Sequence, residues 1–177
     1  MPTTWIEIVD TTVKIGFGAV VTGIATLVNN KLTHTKSVEK DSLQRRVAVL
    51  ESVTLSIEEM THTLLKHWSF IIDVARNSEK GIDASEERLK HVAGLRSEVY
   101  HLFKGFTNGE GRLLLVGCVD QQKQLREYGS IISEYHRYTS PNNAPATIVE
   151  LESWRTKILD ARGQLYKALN KAYQGAK

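Results

Sequence analysis

Apolar residues recur every three or four positions along most of the chain after residue 42. This spacing places them on one face of an α-helix, and no long segment shows the two-residue alternation of a half-buried strand. The recurring positions form four successive stripes: Leu43, Val47, Leu50, Ile57, Leu64, Trp68, Ile71 and Val74; Leu89, Val92, Leu95, Val99, Leu102 and Phe106; Leu114, Cys118, Leu125, Tyr128, Ile132 and Tyr135; and Ile148, Leu151, Trp154, Ile158, Ala161, Leu165 and Leu169. The chain is therefore predicted to be all-α, with an antiparallel four-helix bundle whose first helix is long.

Short segments rich in asparagine, serine and glycine separate the stripes and predict the ends of the helices. In chain order these breaks lie at 77–81, 107–111 and 139–143. Gly81 can take the left-handed conformation that ends a helix, and Asp83 or Ser85 is expected to cap the next one. The second break contains two glycines, so Gly109-Glu110-Gly111-Arg112 is expected to open the third helix. Thr147 is a suitable cap for the last helix.

The N-terminal part of the chain contains an uncharged apolar run, Ile15–Val28, with the sequence IGFGAVVTGIATLV. A helix that crosses the hydrocarbon layer needs about 20 mostly apolar residues. Extension back to Trp5 and forward to Leu32 supplies that length, because tryptophan can lie at the membrane interface and Lys14 can snorkel or pair with Asp10 one turn earlier. We therefore predict an N-terminal transmembrane helix. The alternative is that this run is a buried helix of a soluble bundle.

The predicted membrane helix also carries candidates for assembly. Two pairs of small residues stand four positions apart, a spacing that lets helices approach closely in lipid. Two ionisable residues precede them, and such groups are costly at membrane depth unless they are paired or face water. The candidates for helix packing or for lining a pore are Gly18, Ala19, Thr22 and Gly23 from these pairs, together with Asp10 and Lys14.

The flanking charges predict the orientation of the membrane helix. Acidic Glu7 and Asp10 precede the apolar run, whereas the basic residues that follow it are Lys31, Lys36, Lys40, Arg45 and Arg46. Because positive charge favours the cytoplasmic side, the N-terminus should lie outside and the rest of the chain inside. The expected division is a membrane helix with its flank at 1–36 and a cytoplasmic bundle at 37–177, held by a single span in the inner (cytoplasmic) membrane.

Charge and cysteine content narrow the class of protein. The chain has 23 lysines and arginines and 20 acidic residues, which gives a net charge of +3. This excess of positive charge is too small to indicate nucleic-acid binding by itself. The only cysteine, Cys118, lies in an apolar run and cannot form an internal disulfide, which fits a reducing compartment. The sequence indicates no cofactor and no small-molecule substrate.

Two Glu-x-x-His pairs resemble the ligand pairs of di-metal carboxylate bundles, in which such side chains point into the core. The pairs are Glu59 with His62 and Glu98 with His101. Glu59, His62 and His101 fall away from the apolar stripes of their helices. No metal site is predicted from them.

The segment Arg96-Ser97-Glu98-Val99-Tyr100-His101 contains an arginine and a histidine in R-x4-H spacing. It resembles the signature of HEPN domains, helical bundles that dimerise and cleave RNA with these two residues. The resemblance implies catalytic roles for Arg96 and His101, since histidine titrates near neutrality and arginine binds phosphate through two hydrogen bonds. A five-residue step separates side chains by about 140° on a helix, so the two would meet only across a subunit interface or at a distorted turn.

The combination of an apolar N-terminal helix, a long linking helix, a bundle and one R-x4-H resembles the membrane-anchored HEPN-like accessory proteins of RNA-targeting (type VI-B) CRISPR systems. The resemblance implies a homo-oligomeric effector of bacterial antiphage defence that forms a membrane pore. Its partners would be further copies of the chain, the lipid bilayer, and RNA or an RNA-guided effector. This interpretation favours a non-enzymatic function. The alternatives are a HEPN-like ribonuclease that needs no metal, and a helical module that binds a protein partner.

Overall fold

The computed structural model describes residues 37–175, with side chains from residue 41 onward. This part of the chain has no strand and four helices, which confirms the all-α prediction. They are α1, Ser37–Glu79, with 43 residues; α2, Glu86–Leu115, with 30; α3, Val119–Tyr138, with 20; and α4, Ile148–Gln174, with 27.

The four helices pack as the predicted up-down-up-down bundle. Each helix contacts two others, so that α1 and α3 lie diagonally opposite each other, as do α2 and α4. Two contacts show that α1 and α2 run in opposite directions. Arg88 at the start of α2 pairs with Asp73 near the end of α1 at 2.8 Å, whereas Arg112 near the end of α2 donates to Ser52 at 2.6 Å.

Most of the predicted stripe positions are buried or half-buried, and tyrosines fill the centre of the core. Leu89 and Leu114 are exposed, however, and the fully buried Met60, Ile72 and Leu113 lie outside the stripes. Tyr128 and Tyr135 of α3 are fully buried, and each reaches α1 on the far side of the bundle. The other fully buried large side chains are Ile57, Met60, Leu64, Ile72, Leu113, Leu125, Ile132, Leu151, Ile158 and Leu165. Cys118 is also buried, in agreement with its apolar surroundings in the sequence.

The predicted helix end at 107–111 is wrong, because α2 continues through this segment to Leu115. Gly109 is buried there, and a Cβ atom at this position would lie 3.1 Å from Cδ2 of Leu125 and 3.4 Å from Cγ2 of Val53. Its glycine therefore allows α1 and α3 to pack closely against α2 rather than ending the helix. The turn comes later, where Gly117 has a φ of 73°.

The other predicted helix ends are confirmed. Gly81 has a φ of 72°, and the hydroxyl of Ser85 accepts a hydrogen bond from the backbone N–H of Arg88 at the start of α2. Helix α3 ends at Tyr138, before the predicted break. Thr147 caps α4 in a capping box with Glu150, in which each side chain accepts a hydrogen bond from the other residue's backbone N–H.

Helix α1 is more than twice as long as α3, and full burial of its side chains begins only in its fourth turn. Leu50 is its first buried residue, and residues 41–49 are exposed or only partly buried. The segment 37–49, called the α1 overhang below, is about 20 Å long at about 1.5 Å per residue. It leads from the bundle toward residue 36. Among residues 37–175, no helix combines the length and the apolar character that a membrane crossing requires.

Candidate functional site

The two residues of the R-x4-H pair lie in different environments on α2. Arg96 is partly buried and His101 is exposed, as expected for positions five residues apart on a helix. The ring of His101 makes an edge contact with Tyr100, with 5.9 Å between the ring centroids. No hydrogen bond joins Arg96 to His101 within the described chain. The catalytic roles assigned to them remain a prediction that a single chain does not test.

Arg96 binds the C-terminal end of α3. Its Nη1 donates to the backbone carbonyl of His136 and to the hydroxyl of Thr139, the latter at 3.1 Å. The last carbonyls of a helix have no hydrogen-bond donor within the helix and carry partial negative charge. A guanidinium supplies both the donors and a compensating positive charge. Arg96 therefore has a structural task that holds α2 against α3.

The histidine that Arg96 contacts within the chain is His136. Nη2 of Arg96 lies 3.2 Å from Nδ1 of His136, and the exposed ring of Tyr100 lies 6.4 Å from the His136 ring, measured between centroids. Burial lowers the pKa of His136, and the positive charge of Arg96 lowers it further. At neutral pH His136 is therefore a neutral imidazole beside a cation, at the partly exposed edge between α2 and α3.

A charged cluster joins α1 to α4 inside the bundle. The side chain of Glu58 is only 9% exposed, and Nη2 of Arg162 donates to both of its carboxylate oxygens at 2.6 and 2.8 Å. The hydroxyl of Tyr166 donates to the same carboxylate. Burial opposes the charge on Arg162, but the hydrogen bond and negative charge of Glu58 outweigh it and raise the Arg162 pKa. Burial and Glu58 together raise the pKa of Tyr166, so its proton stays in place.

Two further polar contacts cross the core from α1 to α3. Thr61 and Tyr128 share a hydrogen bond of 2.7 Å between their hydroxyls, and burial raises the pKa of Tyr128 to about 12. Nδ1 of His67 lies 3.1 Å from the hydroxyl of Tyr135. Burial lowers the pKa of His67 to about 4, with further contributions from the positive charge of Arg96 and from His136 when it is protonated. His67 is therefore neutral at physiological pH.

These buried polar residues were not predicted as a group. The predicted stripe of α1 contains only apolar positions, whereas Thr54, Glu58 and Thr61 stand four and three residues apart and are all buried. Polar residues at helical spacing and in phase with an apolar stripe are the signal that could have located them. Thr54 donates to the carbonyl of Leu50 within α1, but the partners of Thr61 on α3 and of Glu58 on α4 lie 67 and 104 residues away along the chain, and no spacing rule identifies them.

Two features of the described residues bear on metal and ligand binding. No group of three or more histidine, cysteine, aspartate or glutamate side chains in residues 37–175 is placed to hold a metal ion. Between α1 and α4 lies a cleft of about 120 Å³, bordered by Leu50, Thr54, Tyr166, Leu169 and Tyr173 among others. Its walls are mostly apolar and bring no set of catalytic groups together.

The remaining predicted site residues, which belong to the predicted membrane helix, lie outside the described residues. They are Asp10, Lys14, Gly18, Ala19, Thr22 and Gly23. No protein-family model, no curated protein and no solved structure matches this chain.

Proposed function

We propose that this chain is a membrane-anchored, homo-oligomeric effector. In this proposal, the N-terminal helix holds the chain in the cytoplasmic membrane and clusters with its copies to form a pore. The helical bundle lies on the cytoplasmic side and supplies assembly. The resemblance to the accessory proteins of RNA-targeting CRISPR systems supports a role in bacterial antiphage defence.

The observation that carries this proposal is the α1 overhang. Helix α1 continues for about 20 Å on the N-terminal side of its first buried residue, Leu50, and the uncharged run Ile15–Val28 precedes it in the sequence. These turns contribute little to the bundle core, because no side chain in 41–49 is buried and Val49, next to Leu50, is the partly buried residue that packs against the core. An extension of this kind suits a segment that links a cytoplasmic bundle to a membrane helix.

Membrane anchorage is tested by cell fractionation with an alkaline carbonate wash. The full chain should stay in the membrane fraction, and a chain that starts at Ser37 should be released into the soluble fraction. If the full chain is also released, the apolar run does not anchor the protein and the pore proposal is refuted.

Assembly is tested with leucine substitutions in the membrane helix. Gly18→Leu and Gly23→Leu should reduce the oligomer in mild detergent and the permeability of cells that express the protein, because a large side chain separates closely packed helices. Ile24→Leu, on the opposite face of the same helix, is the matched control and should retain both. A wild-type chain that is monomeric in detergent, with variants that keep full activity, would contradict the proposal.

A further inference from the structure

The turn between α2 and α3 exposes a cluster of large apolar side chains. Leu115 is 87% exposed, Leu114 is 49% exposed and Val119 is 47% exposed, and we call these three residues the apolar tip. They lie within five positions of each other around a tight turn that a polar sequence could also form. Contiguous exposed apolar side chains on a soluble domain indicate a contact surface.

The apolar tip lies at the end of the bundle from which the α1 overhang emerges. Arg112, just before the tip, donates to Ser52, which is two residues from Leu50. Gln121, just after the tip, donates to the backbone carbonyl of Ala168 near the end of α4 at 2.9 Å. The tip, the overhang and the last turns of α4 therefore share one end of the bundle, the end at which α1 begins.

Charge is distributed unevenly between the two ends of the bundle. In segments 41–52, 110–126 and 167–175, at the tip end, basic residues outnumber acidic ones: Arg45, Arg46, Arg112, Lys123, Arg126, Lys167 and Lys171 against Asp41, Glu51, Glu110 and Asp120. In segments 73–90 and 134–155, at the opposite end, the acidic residues are in excess: Asp73, Glu79, Asp83, Glu86, Glu87, Glu134, Glu150 and Glu152 against Arg76, Lys80, Arg88, Lys90, Arg137 and Arg155. An apolar cluster with basic neighbours is suited to a membrane surface that contains anionic lipid.

We infer that the apolar tip inserts into the headgroup region of the cytoplasmic leaflet, so that the bundle rests on an anionic lipid surface at a second point besides its anchor. This inference rests on the proposed membrane anchorage. The α1 overhang runs past the tip, so contact requires α1 to be inclined to the membrane rather than upright. The eight residues between Val28 and Ser37 can span up to about 26 Å and leave room for that inclination.

The test places an environment-sensitive fluorophore on the tip of the full chain. Leu115→Cys is labelled, and the protein is reconstituted into vesicles of phosphatidylcholine and phosphatidylglycerol. Val149→Cys is the matched control, because Val149 is 80% exposed at the opposite end. Wild-type protein treated with the same fluorophore shows how much of the label reacts with the buried Cys118. Emission from position 115 should shift to the blue and be quenched severalfold more by spin-labelled lipid than emission from position 149.

Other outcomes overturn the inference and identify its replacement. A blue shift at position 115 that spin-labelled lipid does not quench would assign the tip to a contact with protein, either a second copy or residues 1–36. Equal, unshifted emission at both positions from protein that resists carbonate extraction would leave the anchor intact and refute the lipid contact alone. Protein that carbonate extracts from the vesicles would refute the proposed function, and the inference with it.

Discussion

Gly109 and Gly111 stand two positions apart in α2 and form a matched pair for testing how the helices pack. An added Cβ at Gly109 would lie 3.1 Å from Leu125 and 3.4 Å from Val53, whereas one at Gly111 would meet nothing within 4 Å. Alanine raises helix propensity by about 1 kcal/mol at either position. Only at Gly109 must packed neighbours move, and overpacking of a core costs about 1 to 3 kcal/mol.

Gly111→Ala should therefore increase the free energy of unfolding by about 0.5 to 1 kcal/mol. Gly109→Ala should be less stable than Gly111→Ala by about 1 to 3 kcal/mol, which places it at or below the wild type. Because the gain in propensity is common to both variants, the difference between them isolates the cost of close packing. The measurement is a urea titration of the full chain in mild detergent, followed by the fluorescence of Trp68 and Trp154 in the bundle.

Two results would refute this reasoning. Equal stabilisation by both alanines would mean that no side chain of α1 or α3 approaches Gly109. Destabilisation by both would fit the turn that the glycines suggested in the sequence, with backbone conformations that alanine disfavours. Either result would mean that α2 does not pack closely against Val53 and Leu125.

Three further predictions concern polar side chains. Glu58→Gln should lower the free energy of unfolding by roughly 2 kcal/mol, as measured by the same urea titration. The expected loss is smaller than for a fully buried ion pair, because Arg162 is 31% exposed. His67, whose pKa is about 4 in the folded chain against about 6.5 when unfolded, should cost stability as the pH falls from 6.5 to 4, because the unfolded state then binds the extra proton. His67→Gln should make the urea midpoint depend less on pH in that window than it does in the wild type; an unchanged slope would contradict the assignment. If the chain cleaves RNA, His101→Ala should abolish cleavage without changing assembly, and unchanged cleavage would exclude the HEPN-like mechanism; Arg96→Ala is a poorer test, because it also removes the cap of α3.

The positions of the helices followed from local chemistry and could be predicted. Apolar spacing defined the stripes, and the caps at Ser85 and Thr147 are interactions within one turn of chain. Gly109 could not be assigned in the same way, because a glycine that ends a helix and one that admits a neighbouring helix look alike in one sequence. What distinguishes them is the presence of Val53 and Leu125, which are brought there by tertiary packing.

In the candidate site, too, local features could be predicted from the sequence and contacts between helices could not. The exposure of His101 and the partial burial of Arg96 followed from their angular separation on α2. The contact of Arg96 with the end of α3 could not be predicted in this way, because His136 is 40 residues away along the chain. Which residues pair between two helices depends on how far one helix is shifted along the other. The apolar stripes predict which face of each helix is buried, but they do not predict this shift.

The buried polar contacts of α1 have a mechanical consequence. Glu58 contacts α4, while Thr61 and His67 contact α3, and the three contacts occur at successive levels along the helix. Sliding or rotating α1 by a single residue would break all of them at once and leave several buried polar groups without partners. A displacement or torque that enters α1 from its N-terminal end is therefore passed to the whole bundle as rigid-body motion rather than lost as slippage between helices.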